Sequence, residues 1–190
     1  MQLRPAQFLV FALTFFLFPL APVFGQVVSA RAGVVRNFSG EVFYRCHTNK
    51  KNALLLSKNS SLHNKDTILT GTSGSALLSL NPDSYLFIGD DSYVEIEQTE
   101  LDKMHFDIER GEIFLIIRSL NNGASLAIHT PPGILTIHKG GRYRVKVGPG
   151  GNTEANVLSG EIRYFDGRGD LVKIKKGRQV NFVKRKTSQE

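Results

Sequence analysis

LHNKDTILTGTSGSALLSLNPDSYLFIGDDSYVEIE, running from Leu62 to Glu97, contains four short apolar runs, each closed by a turn. Thr67-Ile68-Leu69 meets Gly71 to Gly74, and Ala76 to Leu80 meets Asn81-Pro82-Asp83-Ser84. Tyr85 to Ile88 then reaches Gly89-Asp90-Asp91, and Tyr93 to Glu97 ends the series. A helix needs about 10–12 residues to establish its period, and the turns come too often to allow one. Runs this short, punctuated by Gly, Asp, Asn and Pro, read as β-strands.

The same habit continues in both directions. Gly33 to Arg36 and Val42 to Tyr44 flank an expected turn at Asn37-Phe38-Ser39-Gly40, and Leu54-Leu55-Leu56 reads as a buried run before the polar segment Lys58 to Lys65. Beyond the charged connection Gln98 to Lys103, the residues Met104, Phe106 and Ile108 alternate with His105, Asp107 and Glu109, the period of a half-buried strand. Arg110-Gly111 then predicts a turn into Ile113 to Ile117, which reads as fully buried. Asn121-Asn122-Gly123 predicts a hairpin, because Asn and Gly accept positive φ. Leu126 and Ile128 precede Pro131-Pro132-Gly133, and Leu135 and Ile137 precede Gly140-Gly141. Tyr143, Val145 and Val147 alternate with Arg142, Arg144 and Lys146, and Ile162 to Phe165, Leu171 to Ile174 and Val180 to Val183 complete the series. The expectation is an all-β domain: an irregular β-solenoid of stacked short-strand sheets with glycines at its corners, or alternatively a β-sandwich.

The 190 residues carry a net charge of +7 and are 41% hydrophobic and 22% charged, close to globular averages. Residues 1–25 read as a signal peptide: Arg4 is the single charge, Phe8 to Leu20 is apolar, and Val23-Phe24-Gly25 precedes Gln26 as a cleavage site. An apolar run of 13 residues is short of the roughly 20 needed for a membrane span, so cleavage is preferred to an uncleaved anchor. The expected organisation is a leader at 1–25, one β domain at 26–183 and a flexible polar tail at 184–190. Export to the periplasm or beyond follows from the leader. Removing it leaves +6, which favours anionic surfaces without specifying one. Cys46 is the lone cysteine, so no internal disulfide is available, and a tolerated, inert thiol is expected.

Two blocks carry a family likeness. The first is Leu62-x-x-x-Asp66-x-Ile68-x-Thr70-Gly71, then Ser75-Ala76-x-Leu78-x-Leu80, Asp83-Ser84, Ile88-Gly89 and Ser92. The second is Phe106-x-Ile108-x-x-Gly111-Glu112-Ile113 and Ile128-x-Thr130-Pro131-x-Gly133, followed by Gly141-x-Tyr143-x-Val145, Val157-x-x-Gly160-Glu161-Ile162 and Lys176-Gly177-x-x-Val180. In order and spacing the chain resembles the FecR domain from about Ala32 to Val183. The resemblance implies an extracytoplasmic, solenoid-like β domain without enzyme activity. Full-length members join such a domain to a cytoplasmic anti-sigma segment through a membrane span, and relay a signal from an outer-membrane transporter. Here only seven residues precede the apolar run, and Asn81-Pro82-Asp83-Ser84 stands where the family reads Asp-Gly-Ser.

Candidate sites are few. Asp83, Asp90, Asp91, Asp166 and Asp170 offer hard oxygen ligands, but none follows the spaced calcium-loop pattern, and Asp is an ordinary turn former. Among His47, His63, His105, His129 and His138, the pair His129 and His138 sits nine apart on neighbouring expected strands, without the further ligands zinc needs. No metal or cofactor is therefore expected. Arg142, Arg144 and Lys146, joined by Lys173 and Lys175, are the candidate face for an anionic partner. Gly148 to Thr153 lacks the ending of a phosphate loop, Arg168-Gly169-Asp170 is ordinary turn chemistry, and no Gly-x-Ser-x-Gly elbow occurs. The leading expectation is an exported, non-catalytic binding or sensing module recognising an envelope protein or anionic polymer such as a polysaccharide, with no nucleic-acid role. A membrane-anchored component of a sigma-factor-regulating system and a carbohydrate-active β-helix enzyme are the alternatives.

Overall fold

The computed structural model describes residues 33–184 apart from 50, 82, 101, 122 and 170. The expected leader at 1–25, its anchor alternative, Asp170 and nearly all of the tail at 184–190 lie outside the described residues.

The described residues contain strands and turns and no helix. In the first half these are β1 (Val34–Ser39), β2 (Val42–Arg45), β3 (Leu54–Leu55), β4 (Asp66–Thr70), β5 (Ser75–Asn81), β6 (Ser84–Ile88) and β7 (Tyr93–Glu100). The long β8 (Lys103–Ile117) follows, then β9 (Ser125–Thr130), β10 (Gly133–Ile137), β11 (Gly141–Val147) and β12 (Thr153–Ser159). β13 (Glu161–Phe165), β14 (Leu171–Lys175) and β15 (Arg178–Phe182) close the chain. The four runs of the Leu62–Glu97 stretch are thus β4 to β7.

Pairing separates the strands into two sheets. One runs β1-β5-β6-β8-β11-β12-β15 and the other β3-β2-β4-β7-β8-β9-β10-β13-β14. β8 belongs to both: Lys103 to Arg110 pair with β7 in the second sheet, and Gly111 to Ile117 pair with β11 in the first. The chain passes back and forth between the two sheets in groups of one to three strands, and buried side chains from both form one hydrophobic cluster. Paired strands run antiparallel except β8 with β9. The all-β class is as expected. The irregular solenoid is not shown, and two antiparallel sheets around a shared core fit the sandwich alternative.

Several local expectations change. Arg110-Gly111 is not a reversal. Gly111, at φ 98°, lies inside β8, where the strand passes from one sheet to the other. Ile113 to Ile117 is consequently not fully buried: Ile113, Leu115 and Ile117 enter the core while Ile116 is exposed. The Asn121–Gly123 region is not a hairpin either. β9 lies parallel to the first half of β8, in the second sheet. The period-two expectation for Met104, Phe106 and Ile108 holds, since all three are buried and Phe106 is among the largest fully buried side chains. Truncating Phe106 to Ala would cost roughly 3–5 kcal/mol. The alternation also turns His105 and Asp107 to the outer face of the second sheet.

Candidate functional site

On that outer face three side chains converge. His105 and Asp107 are two apart on β8 and share a face, and the parallel register sets His129 of β9 directly beside Asp107. Asp107 Oδ1 lies 3.2 Å from His105 Nε2 and 3.2 Å from His129 Nδ1. The two imidazoles meet edge to face with ring centroids 3.9 Å apart. His105 Nε2 and Asp107 Oδ1 are buried atoms, and neither has a hydrogen-bond partner among the described residues. Burial holds the His105 imidazole below its ordinary pKa, and His129 pushes the same way, against the pull of Asp107 and Glu97. A shallow groove of about 230 Å³ opens alongside, lined by Tyr93, Glu95, Asp107, Glu109, His129 and Thr130 among others. Two imidazole nitrogens and a carboxylate oxygen on rigid neighbouring strands can hold a metal ion or share a proton.

The first histidine expectation resolves differently. His129 pairs with Ile134, while Ile137, next to His138, pairs with Leu126 near the other end of β9, so His129 and His138 are not brought together. The sequence showed the His105-x-Asp107 alternation. The parallel β8–β9 pairing that delivers His129 had no short-range signal.

A second convergence surrounds Asp66, 1% exposed at the start of β4. Its Oδ1 accepts the backbone N–H of His47 at 3.0 Å, and its Oδ2 accepts that of His63 at 2.9 Å. His47 Nδ1 is a further 3.2 Å contact. Burial pushes the Asp66 carboxyl up, but the amides of His63 and His47 and the His47 ring together hold it below the ordinary carboxylate value. Cys46, half-buried next door, has its Sγ 3.1 Å from Thr48 Oγ1. Asp66 therefore ties two loops to the sheet.

The other motif residues are also scaffold. Thr70 Oγ1 donates to the Gly89 carbonyl at 2.6 Å and accepts the Ser92 amide at 2.9 Å. Ser92 Oγ accepts the Glu112 amide at 3.1 Å. The wholly buried Tyr143 donates its hydroxyl to the Lys139 carbonyl at 2.8 Å, and burial raises its pKa. Asp83 and Asp91 adopt left-handed turn conformations (φ 62° and 47°), and Asp166 Oδ1 accepts the Arg168 amide at 2.8 Å, so these aspartates shape corners.

The five basic residues fall into two groups on different sheets. Arg142, Arg144 and Lys146 lie on β11 of the first sheet, whereas Lys173 and Lys175 lie on β14, at the end of the second. Arg144 is committed: its guanidinium clamps both carboxylate oxygens of Glu112 and reaches Glu154 Oε1 at 3.0 Å. That hydrogen bonding holds the Glu112 carboxyl below its ordinary value.

A family model described as FecR protein matches residues 66–163, more than half of the chain and the span from β4 to β13. No curated protein matches. Two crystal structures of a protein from Parabacteroides distasonis ATCC 8503, described as a candidate anti-sigma factor, share this fold. Identity is 17% and 16%, the TM-score is 0.52 in both, and 65% of this chain is covered. The matched region spans only 56% and 57% of those chains.

Proposed function

From the premise that the chain belongs to the FecR protein family, we propose that it acts as a component of an envelope signalling system, recognising a partner protein without catalysing a reaction. The observation that carries this reading is the family match across residues 66–163, which takes in both halves of β8 and the strands on either side of it. The fold likeness to a candidate anti-sigma factor from Parabacteroides distasonis supports it. So does the use of the family-like residues: Asp66, Thr70, Ser92 and Tyr143 hold the scaffold together and offer no reactive group to a substrate. Recognition then falls to the outer faces of the two sheets, and a protein fits them better than a polysaccharide, because the basic side chains are divided between sheets and Arg144 is already paired. The leader at residues 1–25 would place the domain outside the cytoplasm.

The test is transcript profiling of a deletion strain and of a strain overproducing the full chain, combined with in-cell cross-linking from an outer-face position such as Lys146. A defined set of transcripts changing in opposite directions, with one recurrent cross-linked protein, is the expected result. Unchanged transcripts in both strains overturn the signalling role. N-terminal sequencing of the mature protein separates a cleaved leader, with a start near Gln26, from a retained anchor.

A further inference from the structure

We propose that His105 Nε2, Asp107 Oδ1 and His129 Nδ1 form a binding site for one divalent transition-metal ion of the zinc type. Four features of the second sheet carry this, and none depends on the signalling role.

The first is spacing. The three donor atoms lie within 4.8 Å of one another, and the two oxygen-to-nitrogen edges are both 3.2 Å. Ligands held about 2.0–2.2 Å from zinc stand roughly 3–3.5 Å apart around it, so two edges of the polyhedron already have the required length. The remaining edge, between the two imidazole nitrogens, is no longer than 4.8 Å.

The second is unmet bonding capacity. Buried polar atoms normally find a partner. His105 Nε2 and Asp107 Oδ1 approach each other closely, yet they form no hydrogen bond, and both are shielded from solvent. A cation between them satisfies both. The Cys46, His47 and Asp66 group offers a similar donor list, but both carboxylate oxygens of Asp66 already accept backbone amides. It has no comparable deficit.

Donor type and mounting complete the argument. Two imidazoles and one carboxylate favour zinc, copper, nickel or cobalt over magnesium and calcium, which prefer oxygen shells. All three residues sit on paired strands, with the buried Phe106 and Ile128 behind them, so the donors are held without a loop having to order. Three protein ligands leave a coordination position open toward the groove that contains Glu95 and Glu109. A water or a partner's side chain can fill it.

The experiment is calorimetric titration of the metal-free full chain with zinc chloride at pH 7.5, with metal content after dialysis and the thermal midpoint as independent readouts. One equivalent of zinc per chain is expected, with a raised midpoint. H129A and D107N should each weaken binding at least about tenfold and remove the midpoint shift, while C46S should keep both. His129 is partly exposed, so H129A should fold, and circular dichroism without metal confirms it. No stoichiometric zinc on the folded wild-type chain overturns the proposal. So does wild-type affinity in H129A, or loss of binding in C46S, which would place the ion at Cys46 instead.

Discussion

Ser92 fills the space that a Cβ on Gly111 would need: the Ser92 side chain and Cα stand where the added atom would go. Gly111 is also the residue at which β8 changes sheets, at φ 98°. Gly111→Ala thus combines backbone strain with a clash against a buried neighbour, and should cost more than about 2 kcal/mol. Gly123→Ala is the control, because it has φ 84° but nothing within 4 Å of the new methyl. Its cost should stay near 1 kcal/mol. Urea midpoints of the two variants measure the difference, and equal losses would mean that strain alone operates at Gly111.

Asp66 should make stability acid-sensitive. Its folded-state pKa is lowered, so its contribution is complete above the unfolded value of about 3.9 and disappears as pH falls through the lower folded value. Asp66→Asn presents an N–H₂ to one of the two backbone amides that the carboxylate accepts, and should cost roughly 1–3 kcal/mol at neutral pH. Denaturant unfolding between pH 2.5 and 7 checks both points. The variant should show a shallower loss of stability below pH 4 than the wild-type chain.

Arg144 tests the opposite regime, a half-exposed cross-strand cluster. Arg144→Ala releases Glu112 and Glu154 and should cost about 1 kcal/mol at low ionic strength, and less in 1 M salt. Arg144→Lys should not restore it fully, because an ammonium cannot grip both oxygens of Glu112 as the guanidinium does. Glu112, with its lowered pKa, adds stability that is present above its unfolded value and lost as pH falls through the folded one.

How much of this was legible depends on range. The runs at Thr67–Leu69, Ala76–Leu80 and Tyr85–Ile88 declared β4, β5 and β6 because a two-residue period and a turn are both local signals. Gly111 misled, since a glycine at positive φ serves equally to reverse a chain or to bend a strand that continues; only the partners that β8 finds on each side of it decide between them. The His105–Asp107–His129 group was half legible. The alternation put two members on one face, but the third arrives through the parallel pairing of β8 with β9, which neither strand encodes alone. The division of the basic residues was hidden for the same reason: β11 and β14 alternate alike, and nothing in either strand says that they join different sheets.

Tyr143 and Gly160 should be energetically coupled. The Tyr143 hydroxyl donates to the Lys139 carbonyl at 2.8 Å and stands where a Cβ on Gly160 would fall. Tyr143→Phe removes this part-buried hydrogen bond and should cost about 0.5–1.5 kcal/mol. Gly160→Ala drives a methyl into the hydroxyl at φ 94° and should cost more. In the double variant the hydroxyl that the methyl meets first is gone, although the ring carbon behind it stays close, so part of the clash is relieved. The double variant should therefore be less destabilised than the two single losses added together, by at least about 0.5 kcal/mol. Strict additivity in denaturant titrations would show that Gly160 is required for its backbone conformation alone, and that the tyrosine packs beneath it without steric consequence.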